Sequence, residues 1–281
     1  MKISACILVK NAQETIRECL QSLRGFDEII LLDNKSTDLT LDIVREISNA
    51  WKCENLENPI KPAEIRIFES EFIGFGALKN LAISYAKNEW VFVVDSDEVV
   101  EQGIYDEIKT LDLNNKNTIY ALSRKNLYAG EWIKACGWYP DFVWRIFNKN
   151  FTHFNENLVH ESVIFPKDSN KIHLKTMIKH YAYDDVAHLI DKMQRYSNLY
   201  AKQHIGQPSS PAKAFVRGTW SFIRNYFLKK GIFYGYKGFV ISCCNALGTF
   251  FKYIKLYEIN STPPHMHFVR SSLRHIIKKK D

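Results

Sequence analysis

"VFVVDSDEVV", residues 91–100, sets four apolar residues directly against Asp95, Asp97 and Glu98. The apolar run, which opens at Trp90, shows no alternation, the pattern of a strand covered on both faces in a parallel sheet flanked by helices. Three carboxylates at its carboxyl end repel one another unless solvent or a cation offsets them. That end is also where ligands bind to open α/β sheets. A hard divalent cation, Mg²⁺ or Mn²⁺, meets the requirement with oxygen ligands drawn from protein, water and substrate phosphates. A solvated turn capping the next helix is the plainer alternative.

Working outward, the first half alternates strand and helix. "KISACILV" reads as strand 1, and a helix is predicted from about Gln13 to Arg24. "EIILLD" is strand 2, ending in Asp33, and "NKSTD" leads into a helix through Ile43, Val44 and Ile47. "EIRIFES" is strand 3, "GFGALKNLAISYAK" a loop entering a helix, and "WVFVVD" strand 4. Repeated βα units predict a doubly wound, mostly parallel sheet, in which Asp33 and Asp95 close strands at the same edge. "GFGALK" lacks the third glycine of the dinucleotide fingerprint and follows strand 3, so its glycines are expected to let the backbone turn near the ligand.

The 281 residues, 46% hydrophobic, suffice for one large domain or one domain with an appendage. Six cysteines without C-x-x-C pairing indicate neither a zinc site nor a disulfide framework, and fit a reducing cytosol. The opening "MKISACILVKN" has too short an apolar run for a signal peptide or a membrane span. Charge is uneven: residues 202–281 hold 14 Lys and Arg against Glu258 and Asp281, a net of +12, which leaves −5 for the rest of a chain whose total is +7. "GQPSSP", residues 206–211, marks a boundary between a domain over 1–205 and a basic, aromatic-rich helical region over 206–281. Within that region "GYKGFVISCCNALGTFFKYIKLYE" is either a helix lying in a membrane interface or one packed on the catalytic domain. No nucleic-acid motif accompanies the basic residues. "PHMHF" offers His265 and His267 without a third metal ligand.

The ordered set "ILVKNAQETIRECLQSL", "EIILLDNKSTDLT", "GFGALKNLAISYA" and "WVFVVDSDE" resembles the inverting nucleotide-sugar glycosyltransferases of family 2, which have the GT-A fold. "GWYPDFVWRIF", "LVHES" and the tail "YFLKKGIFYGYKGF" through "FKYIKLYE" are similar to the bacterial transferases that extend the lipopolysaccharide core. The resemblance implies Asp33 as base-recognition acid, Asp95 as ribose or diphosphate contact, and Asp97 as metal ligand, with Asp95 or Glu98 extending the metal site. Lys79 and Asn80 match a basic-Asn pair beside the donor, with a capping role as the alternative for Asn80. Inverting transfer further needs a carboxylate to take the acceptor's proton. Glu161 in "VHE" occupies the place where related enzymes present that base, and Asp141 in "GWYPD" is the alternative, or an acceptor contact with Trp138 and Arg145. His160 orients Glu161 or approaches the metal and diphosphate.

The expectation is therefore a metal-dependent transferase moving a sugar from a nucleotide sugar, a UDP-sugar such as UDP-glucose, to a lipid-linked saccharide. It would act as a peripheral protein on the anionic inner face of the cytoplasmic membrane. A sugar nucleotidyltransferase also carries acids at a sheet edge, but has a glycine-rich loop after strand 1, where this chain has "VKNAQETI". A non-catalytic membrane adaptor would account for the basic tail and leaves Asp33, Asp95 and Asp97 without a reason.

Overall fold

A computed structural model describes residues 2–54, 62–157 and 161–261. It divides into two compact units, Met1–Asp184 and Asp185–Asp281. In the first unit β1 (Ile3–Val9), β2 (Glu28–Asp33), β3 (Glu64–Glu69) and β4 (Trp90–Asp95) pair in parallel in the order β3-β2-β1-β4. The connecting helices are α1 (Ile16–Ser22), α2 (Thr40–Lys52) and α3 (Phe75–Ser84). α1 is shorter than the predicted span, because residues 12–15 form turns before the helix starts.

The unbroken apolar strands have a direct cause. Successive side chains point to opposite faces, and both faces are covered. Ile29, Leu31, Phe92 and Val94 pack with Ile16, Leu20, Val44 and Ile47 of α1 and α2. Ile30, Leu32, Val91 and Val93 pack on the other side with Leu78, Ala82 and Ile83 of α3.

Beyond β4 the sheet is mixed. β5 (Glu98–Val100) follows the acid turn, then α4 (Ile104–Lys109), β6 (Thr118–Tyr128), β7 (Glu131–Trp132), β8 (Phe142–Asn148) and β9 (Asn170–Tyr183). β8 pairs antiparallel with β4 and β6, β9 runs parallel to β6, and β5 closes antiparallel on β9. The result is an α/β fold of the GT-A kind whose N-terminal half is the doubly wound sheet that the βα repeats predict. Register sets Asp33 opposite Val9 and Asp95 opposite Leu8, so both acids lie at one edge of the parallel half.

The second unit comprises α5 (Val186–Gln203), α6 (Pro211–Ile223) and α7 (Gly235–Ser261). α5 and α6 start on side-chain caps: Asp185 accepts from the His188 N–H and Ser210 from the Lys213 N–H. α6 and α7 approach closely at Gly218, where an added Cβ would lie 3.2 Å from the Ala246 carbonyl oxygen and from Phe250 Cβ. No described helix is long and apolar enough to cross a membrane.

Candidate active site

The carboxyl edge of β4 carries a dense charge network. Asp95 pairs with Lys79 at 2.9 Å and with the Arg145 Nη2 at 2.6 Å. The same Nη2 reaches Glu98 Oε1 at 2.7 Å, and Glu98 Oε2 accepts the Asp95 N–H at 2.9 Å. Glu98 is wholly buried and Arg145 only 4% exposed, so the pair is held by mutual compensation. Burial alone would raise the Asp95 carboxyl, but Arg145 and Lys79 hold it well below the usual carboxylate range. Asp95 and Glu98 in turn raise the Arg145 guanidinium against the opposing effect of its own burial. The Arg145 Nε is a buried donor without a partner among the described residues.

Lys79, on α3, links the strand end to a distant loop: its ammonium also donates to Glu161 Oε1 at 2.7 Å. Glu161 is thereby brought beside Asp95, the two acids sharing one ammonium. Gly76 permits that approach. An added Cβ there would lie 1.8 Å from the Asn155 carbonyl oxygen and 3.4 Å from Glu161 Cβ. This glycine of "GFG" thus makes room for the loop carrying Glu161. Gly74 supplies the sharp turn itself, with φ 108° at the start of α3.

Asn80 is committed within the protein. Its amide donates to the Phe154 carbonyl and accepts the Phe154 N–H, both at 2.9 Å, clamping that loop's backbone to α3. Asp33, 1% exposed, accepts from the Ser36 N–H and from Ser36 Oγ at 2.6 Å, which shapes the turn after β2. His160 lies outside the described residues, as do the His265 and His267 pair.

Asp141 belongs to a second branch. Its Oδ2 accepts from Arg124 Nε at 2.9 Å, Arg124 Nη2 at 2.8 Å and Asn126 Nδ2 at 2.8 Å. Asn126 Nδ2 also donates to the Trp138 carbonyl, and the Trp138 ring stands 5.4 Å from Tyr183. With both amide bonds donated, Asn126 Oδ1 is left to accept from His180 Nδ1 at 2.5 Å. His180 Nε2 then faces Asp97 Oδ2 at 3.4 Å.

His180 is the group that sequence reasoning missed. The signal was present in "IKHYAY", where Ile178, His180 and Ala182 share the buried face of β9, and a polar residue on a strand's buried face is informative. Asp97 and His180 form an oxygen and nitrogen donor pair that fits Mn²⁺ better than Mg²⁺, which takes oxygen ligands. Among the described residues no group of three His, Cys, Asp or Glu side chains is arranged to hold an ion unaided, so phosphate oxygens and water would complete the shell. Charge points the same way. Asp95, Asp97, Glu98, Asp141 and Glu161 stand against Lys79, Arg124 and Arg145, a deficit that a diphosphate would deepen.

A mixed α/β scaffold with partly compensated acids at the sheet's ligand edge is suited to holding a charged substrate there. Residues 4–165 match the model of Glycosyl transferase family 2, more than half of the chain, and the chain belongs to that family: it is a glycosyltransferase. An uncharacterized glycosyltransferase of Rickettsia prowazekii is 27% identical over 272 residues, covering 92% of this chain and 88% of its own. Among solved structures, S. aureus TarS 1–349 in complex with UDP-GlcNAc is similar with a TM-score of 0.47 and 16% identity over 88% of this chain and 90% of that one. The mannosyltransferase PcManGT from Pyrobaculum calidifontis, in complex with GDP-Man and Mn²⁺, has a TM-score of 0.47 and 13% identity over 98% and 80%.

Proposed function

We propose that the protein is a metal-dependent, inverting transferase that moves a sugar from a UDP-sugar, UDP-glucose being one candidate, to a lipid-linked saccharide such as a lipopolysaccharide core. It would act at the anionic cytoplasmic face of the membrane. The observation that carries the reading is the Lys79 bridge, which joins the strand-end acid Asp95 and the loop acid Glu161 around one buried ammonium.

In this reading Asp33 receives an N–H of the base, and Asp95 with Lys79 contacts the ribose or diphosphate. Asn80 supports them by fixing Phe154. Asp97 and His180 hold the divalent cation, with Asp95 or Glu98 as further carboxylates of the cluster. When bound, the cation offsets charge on the departing diphosphate. Glu161 takes the proton of the acceptor hydroxyl as it attacks the anomeric carbon from the face opposite the nucleotide. Glu161 is preferred over Asp141 as base because three charge-assisted or amide donors converge on Asp141 Oδ2. Those donors crowd the Asp141 carboxylate, whereas on Glu161 a single donor, Lys79, bonds Oε1 among the described residues. Asp141 and Trp138 then shape the acceptor side, Arg145 stands with Asp95 beside the diphosphate, and the basic helical region, 206–281, falls within the second unit.

The test replaces each candidate base. Glu161→Gln is expected to retain nucleotide-sugar binding with Mn²⁺, read by calorimetry, while transfer falls by about 10²- to 10⁴-fold. Asp141→Asn should mainly weaken acceptor affinity. The reverse pattern would move the base to Asp141, and near-normal rates in Glu161→Gln would remove Glu161 from the chemistry.

A further inference from the structure

We propose that the turn joining α6 to α7, residues 224–234, together with the first turn of α7 to Phe239, is a preformed wedge that inserts into an anionic lipid bilayer. The inference rests on the reading that the acceptor is carried in a membrane, and it narrows that reading from a basic tail to one structural element.

α6 presents two faces. Ala214 and Gly218 are buried, and Gly218 abuts α7. Val216, Trp220, Ile223 and Phe227, spaced four, three and four residues apart, form an exposed stripe on the other side. This stripe continues into the turn, where Leu228, Ile232, Phe233, Tyr236 and Phe239 all face solvent, Phe233 being 79% exposed. Contiguous apolar exposure on this scale marks an interaction surface.

The turn is built to hold these side chains out. A five-residue π turn, Arg224–Leu228, is followed by Lys230 at φ 60°, a 3₁₀ turn over Gly231–Tyr234, and Gly235 at φ 53° and ψ −136°. Gly238 closes the turn: an added Cβ would lie 1.8 Å from the Gly231 carbonyl oxygen. Backbone bonds from Lys229 N to Arg224 O, Lys230 N to Phe227 O and Phe233 N to Lys230 O satisfy polar groups internally. Such pairing lets a segment enter an apolar phase without stranding its backbone. Little ordering entropy is then lost on binding.

Charge selects the partner. Residues 205–257 contain eight Lys and Arg and no Asp or Glu, and Arg224, Lys229, Lys230 and Lys237 lie within the wedge itself. A second copy meeting the same face across a two-fold axis would oppose these cations with themselves. An anionic bilayer complements them, with aromatic and apolar side chains entering at headgroup depth. Because no described helix can span the membrane, the element lies in the surface.

The experiment uses the full chain and vesicles of equimolar phosphatidylglycerol and phosphatidylcholine. The wild type should co-sediment at low salt, and Leu228→Ser with Phe233→Ser should lower the partition coefficient by about tenfold or more. Phe233→Ser alone, at the most exposed position, should fall in between, with an unchanged circular dichroism spectrum. Lys229→Gln with Lys230→Gln should weaken binding to the mixed vesicles more than to phosphatidylcholine alone. Nucleotide-sugar binding by calorimetry should stay the same in all of these variants. Serine variants that partition like the wild type, or a wild type that does not sediment, would overturn the wedge. So would a wild-type dimer that the serine variants dissociate, which would assign the face to self-association. Vesicle binding without nucleotide-sugar binding would instead overturn the transferase reading and leave the wedge standing.

Discussion

Arg145 concentrates much of the site's electrostatics in one side chain. Its Nη2 serves both Asp95 and Glu98 from a buried position, so removing it leaves two carboxylates facing each other with less compensation. Arg145→Ala is expected to cost on the order of 3 kcal/mol in chemical denaturation, as for other broken buried pairs. Arg145→Lys should recover part of this, since it restores charge but lacks the guanidinium fork. The same network makes stability depend on acid. The Asp95 carboxyl is depressed by Arg145 and Lys79 despite its burial, so its contribution is fully present above the unfolded value of about 3.9 and is lost as pH falls through the folded value. Wild-type protein should therefore lose more stability on acidification below about pH 4 than Asp95→Asn. Parallel losses in the two proteins would remove Asp95 as the acid-sensitive group.

At the scale of elements, α3 and the loop after β8 form one device. Gly76 lets the Asn155 carbonyl approach, Asn80 clamps Phe154, and Lys79 receives Glu161. Gly76→Ala would force the loop outward, because the obstructing atom is backbone and cannot swing aside. A displacement near 1 Å at a reacting group lowers turnover on the order of 10²-fold. Steady-state kinetics should show that loss with nucleotide-sugar binding largely kept, and unchanged turnover would mean the loop is not a catalytic element. The parallel half of the sheet was legible because burial on both faces writes itself as unbroken apolar runs ending in Asp33 and Asp95. β6, β8 and β9 were not, since their pairing is non-local: β9 reaches β5 across some eighty residues. That pairing brings His180 to Asp97, so His180 could not be read from "DSDE" alone. "GFG" was legible as a backbone requirement but not in its object, because only the fold shows that Asn155 occupies the space.

For the molecule as a whole, charge is distributed by task. The basic residues of 202–281 outnumber the acids by 12, while the β4 edge holds five carboxylates against Lys79, Arg124 and Arg145. A nucleotide diphosphate entering that edge adds negative charge to a negative cluster, so donor binding should require a cation beyond those the protein supplies. Linkage turns this into a measurement on the intact chain. A ligand present at 100 times its dissociation constant stabilises the folded state by about 2.7 kcal/mol. UDP-sugar with Mn²⁺ should raise the thermal midpoint, whereas UDP-sugar in excess chelator should leave it close to the free protein. Asp97→Asn and His180→Gln should each weaken the Mn²⁺-dependent part of the shift. Mn²⁺ alone should shift the midpoint only slightly, because two protein ligands leave most of the ion's shell to water until phosphate oxygens arrive. An equal shift with and without chelator would show that Lys79 and Arg145 suffice for the diphosphate, and would assign the Asp97–His180 pair to holding β9 against the acid turn.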